Sequence, residues 1–250
     1  MQRQTITQAG AIIIGDEILS SYRQDAHMPY LLKTFPNLGI SLKRVAYVGD
    51  SPKELHNTLK CSRSSEIPVF CFGGIGATED DRTRQIAAQV FNRPITRHPE
   101  AEKMIRNRFG EESEPYRIRM ADLPKGCDLI PNPASQIPGF YHDNHYFMPG
   151  FPNMAQTMIS WILTNILKPP GHKTVTVTSH FVNCKESQLV PIMESLTRKF
   201  PMCSFFSLPS TDCSGLIELG FRSSQPIPAA LTFMEKLLKI ENIPWSKPDN

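Results

Sequence analysis

Apolar positions in this chain change their pattern along its length. In the first two thirds they form short unbroken runs closed by glycine. Residues 9–14 (AGAIII) run apolar up to Gly15, which reads as a buried strand meeting a glycine turn. Met28, Leu31, Leu32 and Phe35 recur at helical spacing over residues 25–35. A second strand is expected over residues 40–48, ending in Gly49-Asp50. Ser51-Pro52 then opens a helix to about Arg63, with serine at the cap and proline at the first helical position. Residues 67–72 form a third buried run that ends in Gly73-Gly74, and a helix is expected over residues 83–91. Strand and helix alternating three times predict an α/β domain with a parallel sheet and right-handed crossovers.

The stretch 94–155 is irregular. It is expected to hold a helix over residues 100–109, extended pieces at 117–120 and 127–130, and a strand at 146–148 that stops at Pro149-Gly150. Residues 154–167 form an apolar-faced helix, and Lys168-Pro169-Pro170-Gly171 stops it. After that linker the period changes to two: a strand over 173–180, a helix over 186–200, strands over 202–208 and 216–221, and a helix over 227–240, with a frayed tail. The expected architecture is a three-layer α/β/α domain with a mostly parallel sheet over residues 1–170. A small α+β subdomain over residues 171–250 follows it.

Composition narrows the function. Of 250 residues, 27 are Lys or Arg and 24 are Asp or Glu, so the net charge of +3 is too small and too interleaved for a phosphate-tracking groove; no nucleic-acid partner is expected. No run approaches the roughly 18 apolar residues that cross a bilayer, and no signal peptide is read at the N-terminus. A cytoplasmic protein without a membrane partner is expected. Cysteines 61, 71, 127, 184, 203 and 213 lack a CxxC spacing and are expected to be reduced thiols. The 22 prolines and 14 glycines imply many fixed turns.

Three strand ends carry the candidate chemistry. Residues 71–83 (CFGGIGATEDDRT) open a buried strand into Gly73, Gly74 and Gly76, followed by Thr78, Asp80, Asp81 and Thr83 at a helix start. Glycine amides and a helix N-terminus make an anion cradle. Adjacent carboxylates repel a phosphate unless a divalent cation lies between, which suggests a metal-bridged phosphate site. Gly15-Asp16-Glu17 and Gly49-Asp50 close the other two strands, and in a parallel sheet all three ends face one crevice. Asp50 and Asp81 are expected to share that cation. His142-Asp143-Asn144-His145 has metal-ligand residue types but sits where a hairpin turn wants Asp-Asn, and the turn is the expected reading. Arg106, Arg108, Arg117 and Arg119 interleave with Glu111, Glu112 and Glu114 as a solvated mixed-charge surface.

The runs IIIGDEIL, VGDS and GGIGATEDDRT resemble the molybdenum-cofactor-biosynthesis (molybdopterin-binding, MoaB/MogA-type) domain family. LPKGCDLIPNPASQIPGF, YFMPGFPNM and KESQL are similar to its CinA-like competence/damage-inducible branch. The resemblance implies several things. Molybdopterin or a nucleotide is the ligand. Gly73, Gly74, Gly76 and Thr78 form the phosphate cradle. Asp50 matches the acidic position implicated in adenylyl transfer and Asp81 the acidic residue that closes the glycine motif, the two expected catalytic residues; the cation expected between them is Mg, Mn or Co. Pro149 and Gly150 belong to a loop that closes the cleft. It further implies a pyrophosphatase of ADP-ribose or FAD type, with a non-catalytic binding protein or a molybdopterin adenylyl-transfer protein as the alternative, and a homo-oligomer, a dimer. Phe205, Phe206 and Leu208 are candidates for the subunit contact or for subdomain core. Ser20, residues 23–27 (RQDAH) and Ala77 depart from the family pattern. No deamidase domain follows within the 250 residues, so that activity is not expected.

Overall fold

A computed structural model describes residues 4–171, 176–210 and 215–248. Cys213 and the predicted strand start at Lys173 lie outside these. The chain divides into two compact units, Met1–His172 and Lys173–Asn250.

In the first unit the elements are β1 (Gln4–Thr5), β2 (Gln8–Ile14), α1 (Asp16–Leu19), α2 (His27–Asn37), β3 (Ser41–Val48), α3 (Pro52–Arg63), β4 (Val69–Phe72) and α4 (Thr83–Val90). These are followed by β5 (Ile95–Arg97), α5 (Pro99–Phe109), β6 (Asp122–Pro124), β7 (Asp128–Ile130), β8 (Gly139–His142), β9 (His145–Met148), α6 (Pro152–Asn165) and β10 (Leu167–Lys168). The main sheet has the order β3-β2-β4-β9-β8-β7. β2 pairs in parallel with β3 and with β4, and β4 in parallel with β9, while β8 runs antiparallel to β9 and β7.

Alternate strand residues feed two cores, one on each face. Ile12, Ile14, Cys71 and Phe147 pack with Leu55 and Leu59 of α3 and Ile86 of α4. Ile13, Phe70, Phe72 and Met148 pack on the other face with Leu31 and Phe35 of α2 and Met158 and Ile162 of α6. Helices on both faces explain why these strands are unbroken apolar runs. The three-layer, mostly parallel α/β/α architecture is the one the sequence predicted.

Several local expectations need correction. Residues 117–121 are a 3-10 helix and not an extended piece. β8 is a strand where only a proline-punctuated loop was expected. Asp143 and Asn144 form the expected hairpin turn, with φ of 52° and 60°, the left-handed values a two-residue hairpin demands. Ser51 stands at the start of α3, but its side chain makes no capping bond.

The second unit contains β11 (Thr176–Val182), α7 (Glu186–Lys199), β12 (Ser204–Pro209), β13 (Ile217–Ser223), α8 (Pro228–Ile240) and β14 (Trp245–Ser246). Its antiparallel sheet has the order β12-β13-β11-β14. α7 and α8 pack on one face through Leu189, Ile192, Met234 and Leu238. The tail expected to fray is partly ordered: β14 pairs with β11, and Trp245 stacks on His180 with ring centroids 4.4 Å apart.

Candidate functional site

The ends of β2, β3, β4 and β9 lie side by side, and each passes into a glycine turn. At the first two, Gly15 N–H donates to Val48 O (3.0 Å). Asp16 N–H donates to Asp50 Oδ2 (3.0 Å), and Asp50 N–H donates to Asp16 Oδ1 (3.2 Å). The two acidic turns are thus locked by a reciprocal exchange in which each carboxylate uses one oxygen. Gly49 is required by this exchange, because a Cβ there would sit 2.2 Å from Asp16 Oδ1.

The third turn is the glycine loop. Gly73 N–H donates to Met148 O (2.9 Å), joining this loop to the end of β9. Thr83 N–H donates to Gly74 O (2.9 Å) and its hydroxyl to Gly73 O (3.1 Å), so the start of α4 is pinned to the loop. Gly74 has φ +68°, and a Cβ there would meet the Thr83 hydroxyl at 2.2 Å; only glycine fits both the backbone and the contact. Asp81 closes the loop on itself, its Oδ2 accepting from Thr78 N–H (3.0 Å) and the Thr78 hydroxyl (2.6 Å).

The acidic residues therefore divide. The Asp50 carboxyl is raised above its ordinary value, first by burial and then by the charges of Asp16, Glu17 and Asp80, with the Asp16 amide opposing. Asp80, not Asp81, is the carboxylate from the glycine loop that bears on Asp50. Asp50 exchanges hydrogen bonds with Asp16, and Asp81 spends Oδ2 on Thr78, so each of the three carboxylates has one oxygen engaged within the turns.

Two further residues belong to this edge and were missed in the sequence. Arg84, on α4, is almost fully buried. Its Nη2 donates to Gly76 O (2.6 Å), and its Nη1 to the carbonyls of Arg119 and Asp122. It anchors the glycine loop to the 3-10 turn beside it. Arg84 Nε is buried without a partner among the described residues. His27 stacks on Phe72 (4.4 Å) and donates from Nε2 to Gly150 O (3.2 Å), holding the Pro149-Gly150 turn against the end of β4. Burial lowers its pKa, against the Gly150 carbonyl and Asp25. Asp25 in turn accepts from the His27 and Met28 amides and from the Tyr47 hydroxyl (2.7 Å). Helical periodicity places Arg84 and His27 on helices. It says nothing of partners far away in sequence.

Beside the end of β2 and the Gly150 turn a cavity of about 280 Å³ opens, with Ile14, Phe72 and Phe151 as apolar walls and Glu17, Arg23, Gln24 and His27 at its polar side; the glycine loop does not line it. Apolar walls with a few polar groups suit a small heteroaromatic ligand. Among the described residues no three His, Cys, Asp or Glu side chains converge closely enough to hold a metal ion alone. The residues present do fit a cation held jointly with ligand phosphates, since Mg²⁺ is commonly bound by one or two carboxylates plus phosphate oxygens. His142 and His145 are no metal pair. His145 is buried, its Nδ1 donates to Asp143 O (2.8 Å), and its Nε2 lies 2.9 Å from Ser62 Oγ. Arg106 pairs with Glu102 and Glu114, and Arg117 with Glu112, as an exposed surface network. No described helix is long and apolar enough to cross a membrane.

The chain is similar to known proteins. A "CinA-like protein" of Picosynechococcus is 30% identical over 184 residues, covering 70% of this chain and 44% of its own length. Another from Gloeobacter violaceus is 32% identical over 134 residues, covering 52% of this chain and 32% of its own. The chain thus spans less than half the length of either relative. The crystal structure of CinA from Thermoplasma acidophilum, described as of unknown function, superposes with a TM-score of 0.59 at 24% identity; it covers 65% of this chain and 99% of its own. That likeness shows the fold. Residues 10–169 match the family described as "Probable molybdopterin binding domain". They take in all four strand ends, and the chain belongs to the molybdopterin-binding domain family.

Proposed function

We propose that the strand-end crevice of the first unit binds the phosphate-bearing end of a pterin or nucleotide, and that it cleaves a nucleotide pyrophosphate of ADP-ribose or FAD type with a divalent cation. The observation that carries this reading is the Asp16–Asp50 exchange beside the glycine loop. The loop offers an anion the amides of Gly74 and Gly76, while those of Gly73 and Thr78 are engaged by Met148 O and Asp81 Oδ2. Four carboxylates nearby, those of Asp16, Glu17, Asp50 and Asp80, repel it. A ligand that brings its own cation resolves the conflict, and the burden on Asp50 is relieved when a cation stands beside it. Bound there, Mg²⁺, Mn²⁺ or Co²⁺ would supply charge neutralisation and polarise the phosphorus. Asp50 and Asp16 would hold the cation, Glu17 and Asp80 would flank them, and the Gly15 and Gly150 turns would frame the cavity for the ring.

A carrier that binds without cleaving is the second reading. It is favoured by the bonds within the turns that already engage one oxygen each of Asp16, Asp50 and Asp81. One experiment separates the two: ADP-ribose, FAD and molybdopterin are each incubated with the chain, with and without Mg²⁺, Mn²⁺ or Co²⁺, while binding and AMP release are followed. Cation-dependent cleavage that falls by roughly 10²–10⁴ in Asp50→Asn supports the enzyme. Cation-independent binding without cleavage supports the carrier. Absence of both removes the reading.

A further inference from the structure

The opposite edge of the main sheet holds a second cavity. It opens where β2, β3 and β4 begin, beside the last turn of α3, with a volume of about 400 Å³. Ile67 and Val69 belong to its apolar wall, and Lys43, Arg44, Cys61 and Ser65 to its polar side. Gly10 accounts for the space. It lies within β2 at a register shift against β3. A Cβ there would meet only Arg44 O and Val69 Cγ2 at 3.6 Å and Ile67 Cδ1 at 3.8 Å, which are ordinary contact distances. Packing therefore does not require glycine here, and a side chain would grow among the cavity's own walls. A glycine inside a strand weakens it and often marks the close approach of a ligand. The charges also differ from those at the strand ends, since this lining has two cations and no carboxylate. Among the described residues neither Lys43 nor Arg44 forms an ion pair. The Arg44 guanidinium donates from Nη1 to Cys61 Sγ (3.2 Å), and sulfur is a weak acceptor. The α3 carbonyls that would repel an anion are occupied: Cys61 O accepts from the Ser64 hydroxyl (2.7 Å) and Ser62 O from Ser65 N–H (3.0 Å).

We propose that this cavity binds an organic phosphate monoester, with the phosphate held by Arg44 and Lys43 and the apolar body lodged against Gly10, Ile67 and Val69. Charge selects the head. Above its second ionisation, near pH about 6, a phosphate monoester carries close to two negative charges. It then matches two cations, whereas a carboxylate leaves one of them uncompensated. The planar guanidinium of Arg44 presents a fork of donors that fits phosphate oxygens. Space selects the body. The volume falls in the range of small-ligand pockets, about 300–1,000 Å³, and a phosphate group alone would leave the apolar wall wet. A ligand seated on Arg44 also covers the Cys61 sulfur beside it, so the thiol reports occupancy. This site is on the other edge of the sheet from the strand-end crevice, needs no divalent cation and does not rest on the function proposed for that crevice.

Phenyl phosphate, inorganic phosphate and benzoate are the probes. Each is titrated by calorimetry into the full chain in EDTA at about pH 7.5, where the monoester is dianionic. Phenyl phosphate should bind at least about tenfold more tightly than either of the others, which lack the body or the second charge. It should also slow the alkylation of Cys61 by iodoacetamide, read by mass spectrometry of the Cys61 peptide. Arg44→Ala and Lys43→Ala should each weaken phenyl phosphate by about tenfold or more. Gly10→Val fills the space and should abolish binding, while thermal unfolding stays at or above wild type because the unfolded chain loses freedom. Gly10→Ala, with its single Cβ at ordinary contact distance, is the milder form and should weaken binding with the fold intact. Phenyl phosphate that neither binds nor protects Cys61 at about 10 mM overturns the proposal. So does inorganic phosphate binding as tightly as phenyl phosphate, which would leave the apolar wall without a role. Binding unchanged in Gly10→Val and Arg44→Ala would put the phosphate elsewhere and overturn it as well.

Discussion

The two larger sheets of this protein are buried differently, and that difference decides where each can act. In the first unit β4 and β9 are buried at every position and β2 at all but its first. Helices close both faces, so the backbone of these central strands meets a ligand at the strand ends, where Gly15, Gly49, Gly73 and Gly150 cluster. In the second unit β12 has no fully buried residue, and β11 alternates. Its helices cover one face, and the other stays open for contact. A doubly covered sheet acts at its edge, and a singly covered one at its face.

The largest test of this contrast is truncation inside each sheet. Phe70 is fully buried between Phe35 (5.2 Å) and Tyr146 (5.5 Å). Phe70→Ala should cost about 3–5 kcal/mol, while Leu208→Ala on the open face should cost under about 0.5 kcal/mol. Urea unfolding of both variants reads this directly. Equal costs would mean that the open face is covered in solution at the working concentration.

Next in size is the glycine loop at the edge. Gly74→Ala places a side chain at φ +68° against the Thr83 hydroxyl. A loss of about 2 kcal/mol is expected in thermal unfolding, from backbone strain and the displaced hydroxyl. Loss of pyrophosphate binding should accompany it, because the loop and the start of α4 move together. An unchanged melting temperature would show that the loop is looser than its hydrogen bonds imply.

These edge features were unevenly legible in the sequence. The apolar runs, the glycine stops and the Asp143-Asn144 turn follow from local rules, since each depends on residues within a few positions. The partners of the carboxylates do not. Spacing puts Asp50 and Asp81 after strands two and three, but only the folded turns show Asp81 accepting from Thr78 three residues away while Asp50 reaches Asp16 at the end of the neighbouring strand. Nothing local marks Arg84 for burial, because its acceptors at Arg119 and Asp122 are 35 and 38 residues off. β8 and β14 are short and owe their existence to pairing with distant strands, which composition does not reveal.

A smaller effect separates the edge by pH. Burial, opposed by the Gly150 carbonyl and Asp25, lowers His27 below 6.5. The folded state therefore binds fewer protons than the unfolded chain just below that value. The stability this gives is complete above about pH 6.5 and is lost as pH falls through the folded value. His145 is lowered in the same direction, also mainly by burial. His27→Phe keeps a ring on Phe72 and removes the titration. Urea midpoints between pH 8 and 5 should fall less steeply in the variant. An identical slope would assign the acid sensitivity to His145 and to the rest of the chain.

The smallest expected effect has the opposite sign and concerns Asp50. Burial and the charges of Asp16, Glu17 and Asp80 raise its folded pKa, so the folded state holds this proton more tightly than the unfolded chain. Stability is then greatest while Asp50 is protonated and declines as pH rises from the ordinary carboxylate value of 3.8 through the raised one. Asp50→Asn removes the charge. Its side-chain oxygen can still accept from the Asp16 amide, and the backbone bond from Asp50 N–H to Asp16 does not depend on the side chain. The variant should therefore gain slightly on wild type at neutral pH and match it in acid. Added divalent cation with pyrophosphate should reverse the ranking, because only the wild type gains a binding partner. If wild type were the more stable at pH 7 without any ligand, the carboxylate would be holding the two turns together as an anion, and the edge would be built for architecture and not for a ligand.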